Sequence, residues 1–225
     1  MTFIAGEWPH DGDLRRDNTA LIVIDMQIDF CAPDGWVDQL GESIANTRRP
    51  IATIARLLCA ARDAGLAIVH TREGHRPDLS DLNPNKRWRT RVHGLGVGDM
   101  GRSGRILTRG EPGHAIVPEL RPLDGEIIVD KPGKGGFHAT DLDPILRARN
   151  IRNLIIAGVT SDCCVQSTYR DAADLGYDCM LAEDATAAVE SNNHDGSLAV
   201  LAAHGGRWGA LAPTDAIIAA LMQIA

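Results

Sequence analysis

A three-layer α/β/α fold around a doubly wound, mainly parallel β-sheet is predicted by this sequence, on three observations. Short apolar runs with no polar alternation recur along the chain. Stretches with helical spacing of apolar residues lie between them. No internal repeat and no linker rich in Pro, Gly or Ser interrupts the chain, so residues 1–225 read as a single domain. Strands that are apolar throughout are buried on both faces, as in a parallel sheet, and the alternating helices supply the covering layers.

Residues 20–24, Ala-Leu-Ile-Val-Ile, make the first predicted strand, which ends at Asp25. A helix is predicted over 50–65, where Ile51, Ile54, Ala55, Leu58 and Ala61 share a face and Gly65 supplies the stop. Residues 66–69 read as the second strand and run into His70 and Thr71. Residues 72–124 are rich in Arg, Gly, Pro and Asp with little periodicity. They are expected as long loops with short elements over the carboxyl edge of the sheet, and loops of that length are often functional. Further strands are predicted at 127–129, ending at Asp130 and Lys131, at 154–157, closed by Gly158, and at 178–182, running into Glu183 and Asp184. Helices at 142–150, 165–175, 197–204 and 214–224 complete the alternation.

Composition narrows the function classes. A hydrophobic share of 44% and a charged share of 24% suit a soluble globular protein, and a net charge of −7 offers no electrostatic basis for nucleic-acid binding. No apolar stretch approaches the roughly 18 residues of a membrane span. The opening Met-Thr-Phe-Ile-Ala-Gly-Glu-Trp lacks the layout of a secretory signal. Five cysteines, odd in number and irregular in spacing, fit a reducing cytosol better than a disulfide framework. The expectation is a cytoplasmic protein with neither nucleic acid nor membrane as partner.

Ligands of open α/β sheets bind outside the carboxyl ends of the strands. Asp25 and Lys131 fall at such ends, and the pair Cys163-Cys164 follows the 154–157 strand after a short polar turn. With Asp162 as a helix cap, Cys164 would lie in the first helical turn, where unpaired N–H groups and the helix dipole favour a thiolate. A carboxylate to take the thiol proton, a thiolate to attack a carbonyl and a cation to hold the developing charge suffice for acyl transfer. Composition leaves choices open. Asp29 competes with Asp25, Lys134 lies close to Lys131 as the more solvated candidate, and spacing does not separate Cys163 from Cys164. Each cysteine can equally be a small buried hydrophobe.

Three segments carry a resemblance: Leu21-Ile-Val-Ile-Asp-Met-Gln-Ile-Asp-Phe30, Val129-Asp-Lys-Pro-Gly-Lys-Gly-Gly-Phe137 and Ala157-Gly-Val-Thr-Ser-Asp-Cys-Cys-Val165. They resemble the isochorismatase-like cysteine hydrolases, over roughly Asn18 to Leu221. Residues 70–79, 85–88 and 104–113 are similar, more narrowly, to biuret and triuret hydrolases. The resemblance implies a Rossmann-like sheet of six strands, with Asp25 as base, Lys131 as cation, Cys164 as nucleophile and Cys163 as packing. It also implies a cis peptide between Val159 and Thr160, and an oxyanion hole made by the Thr160 and Cys164 N–H groups. The implied partners are a small ureido substrate and further copies of the chain, commonly in a tetramer, with no cofactor. The implied reaction cleaves a C–N bond of biuret or triuret through a thioester and releases ammonia. Alternatives on the same fold are an N-carbamoyl amide or ureidoacrylate amidohydrolase, an isochorismatase, or a non-catalytic binding protein.

Phe30 and Phe137 lie close to these positions in sequence and are candidates for pocket walls or for core. Arg76 and Lys86, with Arg87 and Trp88, line the pocket or form a loop network. His204 stands where the biuret hydrolases carry a substrate-binding glutamine, and its imidazole has a different reach and titrates. Gly96-Val-Gly-Asp-Met-Gly101 spells a dinucleotide fingerprint, but no strand precedes it and no helix follows, so it reads as chance. His70 and His75 invite a metal. The close histidine pair with an acidic partner found in zinc-containing relatives is absent, and no metal is expected.

Overall fold

The computed structural model describes residues 7–224. The first six residues, which open the segment read for a signal layout, lie outside the described residues. The strands are β1 (Thr19–Ile24), β2 (Ala67–Glu73), β3 (Met100–Gly101), β4 (Gly104–Arg105), β5 (Ile127–Lys131), β6 (Asn153–Val159), β7 (Asp178–Ala187) and β8 (Ala210–Ala212). β3 and β4 make a small antiparallel hairpin. The other six form one parallel sheet in the order β5-β2-β1-β6-β7-β8. The order reverses between β1 and β6, the topological switch point at which doubly wound sheets open a crevice.

The helices are α1 (Ile28–Cys31), α2 (Trp36–Gln39), α3 (Ala45–Arg48), α4 (Ile51–Asp63), α5 (Pro84–Thr90), α6 (Leu142–Ala148), α7 (Gln166–Asp174), α8 (Ser191–Gly206) and α9 (Thr214–Leu221). Leu21, Val23, Ile155 and Met180 pack with Ile54, Leu57 and Leu58 of α4 and with Ile217 and Leu221 of α9. The intervening Ala20, Ile22, Ile24, Leu154 and Ile156 pack with Leu142 and Leu146 of α6 and with Tyr169 and Ala172 of α7. Successive residues of β1 and β6 therefore serve opposite cores, which is why these runs show no polar alternation. Each buried Leu or Ile contributes about 1.5–3 kcal/mol, so a polar residue there would be costly twice, in lost burial and in an unmet hydrogen bond.

Several elements outrun their apolar signal. β2 continues four residues past Val69, pairing Thr71, Arg72 and Glu73 with Val129, Asp130 and Lys131. Its polar end is buried by neighbouring loops rather than by its own hydropathy. Gly158 does not close β6. It lies inside the strand at φ 116°, and a Cβ there would overlap Ile24 O, so the glycine permits a close approach to β1. β8 has only three residues, too few for a periodic signal. α5 falls within the stretch expected as loops; Asn83 caps it by accepting from Lys86 N at 2.8 Å, with Pro84 in the first position. α8 begins six residues before the predicted 197 and loses helical geometry at Ala203, His204 and Gly205. Among the described residues, no helix is long and apolar enough to cross a membrane.

Candidate active site

β1 leads into Asp25, at φ 49°, a left-handed conformation that Asp adopts more readily than most residues. The carboxylate is fully buried. Its Oδ1 accepts the Thr71 hydroxyl at 2.7 Å, and its Oδ2 lies 2.7 Å from Lys131 Nζ. Lys131 ends β5 and is also fully buried; its ammonium donates to Gly133 O at 2.9 Å and Lys134 O at 2.8 Å. The Asp25–Lys131 contact is thus a close, fully buried ion pair. Burial works against the Lys131 charge, but Asp25, Cys164 and Glu73 together hold its pKa above the ordinary lysine value.

The sequence reading assigned Glu73 no role, yet it stands at the centre. It ends β2, and the Gln27 side chain clamps it beside Asp25: Glu73 N donates to Gln27 Oε1 at 2.7 Å, and Gln27 Nε2 donates to Glu73 O at 3.0 Å. The Glu73 carboxylate is fully buried among three ammonium groups. Lys86 Nζ donates to Oε1 at 2.6 Å, Lys134 Nζ to both oxygens at 3.2 Å, and Lys131 Nζ lies 3.9 Å from Oε2. Burial pushes this carboxyl up, but Lys134, Lys131 and Lys86 outweigh it and hold the pKa at about 2. Glu73 is therefore held as an anion near neutral pH.

Cys164 Sγ is 3.5 Å from Glu73 Oε2, and the reactive atoms of Asp25, Glu73 and Cys164 all lie within 4.8 Å of one another. The cysteine turn follows β6 as a π-helical stretch, Ser161–Val165, in which Thr160 O accepts from Cys163 N and Val165 N at 3.1 Å each. The Val159–Thr160 peptide is cis. Asp162 is not the expected cap; its carboxylate accepts from Asn193 Nδ2 at 3.2 Å. Cys164 does not rest as a helix-stabilised thiolate either. A hydrogen bond with the Cys163 thiol and complete burial push its pKa well above the ordinary thiol value, and Asp25 and Glu73 add to this against Lys131. Cys163 is half-buried and moves the other way, to about 7, through that same hydrogen bond and the nearby Lys134.

The structure gathers some expected residues and disperses others. Lys86 is in the site, but as a partner of Glu73 and of Pro132 O at 2.6 Å rather than a free cation. Lys134 is not a bystander: it bonds Glu73 with its side chain 40% exposed, making it the cation at the solvent side of the cluster. Arg76 points away and pairs with Asp78 at 3.4 Å on the surface. Phe30 is core, its ring 6.3 Å from that of Trp36. Phe137 is half-buried, stacks on Tyr177 at 5.7 Å and belongs to the apolar cluster that holds Cys164. His204 lies exposed at the break in α8 and, among the described residues, makes no hydrogen bond or ion pair. Asp29 is buried in α1, where it accepts from Leu107 N at 2.8 Å, outside the cluster.

Asp25, Glu73 and Cys164 have the spacing of metal ligands. A divalent ion among them would face the ammonium groups of Lys131, Lys134 and Lys86, which already neutralise the carboxylates. His70 and His75 are engaged separately, with Glu126 at 3.0 Å and Asp81 at 3.2 Å. A cavity of about 590 Å³ opens near Arg16, Arg62, Gly125 and Arg149, but none of the cluster lines it. What the cluster offers is a buried thiol, a buried carboxylate paired with Lys131, a second carboxylate held as an anion and three cations: a set able to carry acyl transfer.

An isochorismatase domain model matches residues 19–212. Ureidoacrylate amidohydrolase RutB of Rhizobium rhizogenes is 36% identical over 189 residues, covering 79% of this chain and 74% of that protein. The RutB of Cronobacter turicensis is 36% identical over 183 residues, covering 76% and 75%. A cysteine hydrolase from Pseudomonas syringae pv. phaseolicola superposes with a TM-score of 0.81 at 28% identity over the whole of both chains. N-carbamoylsarcosine amidase from Thermoplasma acidophilum superposes with a TM-score of 0.66 at 26% identity, covering 88% of this chain and 97% of that one.

Proposed function

The chain belongs to the isochorismatase family, and we propose that it is a cysteine-dependent amidohydrolase that cleaves a C–N bond of a small ureido compound and releases ammonia. The observation that carries this reading is the packing of Asp25, Glu73 and Cys164 within 4.8 Å, with Lys131 against Asp25. Asp25 takes the Cys164 proton, an oxygen of its carboxylate lying within 4.8 Å of the sulfur. The thiolate attacks the carbonyl carbon, and the Thr160 and Cys164 N–H groups with Lys131 stabilise the oxyanion. Asp25 returns the proton to the leaving nitrogen, ammonia departs, and a thioester remains. Water, deprotonated by Asp25, then releases the acid and restores the thiol. Glu73 is too weak a base for these transfers.

Relatives named for ureidoacrylate and N-carbamoylsarcosine favour a substrate that also carries a carboxylate. Lys134, half-exposed beside the thiol, offers such a group a counter-charge. The loop similarity over 70–79, 85–88 and 104–113 favours biuret or triuret as the second reading. The same proposal includes a cytoplasmic homotetramer. The test is ammonia release from ureidoacrylate, N-carbamoylsarcosine, biuret and triuret, repeated with His204→Gln. Turnover of one ureide at least a hundredfold above a plain carboxamide supports the reading; no turnover of any of them refutes it.

A further inference from the structure

We infer that Glu73 is a specificity-determining residue that accepts from an N–H on the nitrogen which the attacked carbonyl carbon retains, so that the site selects urea-type carbonyls carrying that N–H over carboxamides and over ureides fully substituted at that nitrogen. The inference deepens the ureido reading above and rests on it.

Two carboxylates, not one, reach the sulfur. Glu73 Oε2 lies 3.5 Å from Cys164 Sγ, and an Asp25 oxygen lies within 4.8 Å of both. Only Asp25 is needed to move the proton. Glu73 is held near pKa 2 by its three lysines, so near neutral pH it accepts hydrogen bonds without accepting protons. Its three lysines meet the cost of burying that charge.

Its open acceptor position faces the sulfur. Oε1 is occupied by Lys86 at 2.6 Å and Lys134 at 3.2 Å, and Oε2 by Lys134 at 3.2 Å. At rest the remaining Oε2 position faces the thiol of Cys164. Once that proton has moved to Asp25, Oε2 would face a thiolate with nothing between them. A substrate N–H placed there removes the repulsion.

Two nitrogens on one carbonyl carbon lie about 2.3 Å apart, given two bonds of about 1.33 Å at about 120°. Each donates over about 2.9 Å, so together they bridge two acceptors several ångströms apart. Carboxylate oxygens within 4.8 Å of each other match that span. The leaving nitrogen meets Asp25, which returns its proton, and the retained nitrogen meets Glu73. A carboxamide has carbon in the second place and leaves Glu73 unmatched.

The test uses two chromogenic esters with one leaving group, 4-nitrophenyl carbamate and 4-nitrophenyl acetate, which differ only in NH₂ against CH₃ on the carbonyl carbon. In both, the Sγ–C bond forms, the C–O bond breaks, the thiol proton goes to Asp25 and 4-nitrophenolate leaves. Burst rates are divided by the rates of the same esters with a small free thiol. The wild-type protein is expected to prefer the carbamate by about 10- to 100-fold, the range of a hydrogen bond to a charged acceptor. Glu73→Gln is expected to bring the ratio to within about threefold of unity, with Glu73→Asp in between. A purely structural role would slow both esters alike. Equal loss on both esters, or no carbamate preference in the wild type, overturns the inference, and the wild-type arm decides even if the variants fail to fold. Ammonia release from a ureide together with an absent preference refutes the role of Glu73 alone; absence of ammonia release refutes the ureido reading, and the inference with it.

Discussion

Asp25→Asn separates the two carboxylates at the sulfur. The amide is isosteric and can turn its oxygen toward Lys131 and its nitrogen toward the Thr71 hydroxyl, which also accepts. Shape and hydrogen bonds are thus kept and only the charge is lost. Breaking a buried ion pair typically costs about 3–5 kcal/mol. Here Lys131 retains Gly133 O, Lys134 O and, at 3.9 Å, Glu73. We therefore expect a stability loss of about 1–3 kcal/mol, read from urea denaturation. The catalytic loss should be larger in effect. Removing a general base lowers kcat by about 10²–10⁴, or roughly 3–5 kcal/mol of barrier. The assay is ammonia release at saturating ureide, on protein shown by denaturation to be folded. A loss in kcat of less than tenfold, with a loss of a hundredfold or more in Glu73→Gln, would mean that the base has been assigned to the wrong carboxylate.

Other outcomes follow from the same geometry. Cys164→Ser should abolish turnover while Cys163→Ser keeps most of it; equal losses would remove the distinction between the two thiols. Iodoacetamide labelling of the resting protein, with the modified thiols identified by peptide mapping, should find Cys163 faster than Cys164 near pH 7, because the hydrogen bond between the two thiols and complete burial hold Cys164 protonated; faster labelling of Cys164 would contradict this. Burial raises Asp29 from 3.8 to about 6, so its stabilising contribution is complete below about pH 4 and is lost as pH rises through 6. Asp29→Asn should therefore gain on the wild type by up to about 3 kcal/mol between pH 4 and pH 8, and a pH-independent difference would refute the shift. Gly158→Ala should cost several kcal/mol in chemical denaturation, because its Cβ would meet Ile24 O at the β1–β6 pairing; a loss below about 1 kcal/mol would show that the strands can part to admit it.

The sequence by itself determined the parallel sheet, because strands buried on both faces must be apolar throughout, and β1 and β6 are. It also determined that Asp25, Lys131 and the cysteine pair would meet, because each sits where a strand exits at the carboxyl edge. The choice of Asp25 over Asp29 and of Cys164 over Cys163 came from family resemblance rather than from composition. Tertiary structure decided the rest. Glu73 was illegible because the hydropathy of β2 stops at Val69, whereas its backbone pairs on to Lys131. Lys86 and Lys134 reach Glu73 from positions 13 and 61 residues away, with no periodicity to betray the pairing. The field at Cys164 was illegible for the same reason. A helix start favours a thiolate, but the hydrogen bond with the Cys163 thiol and complete burial, with Asp25 and Glu73 brought in from β1 and β2 by the fold, push the Cys164 pKa up. Local pattern sets where a chain turns and which face is apolar; the field felt by a buried group is the sum over elements that only folding brings together.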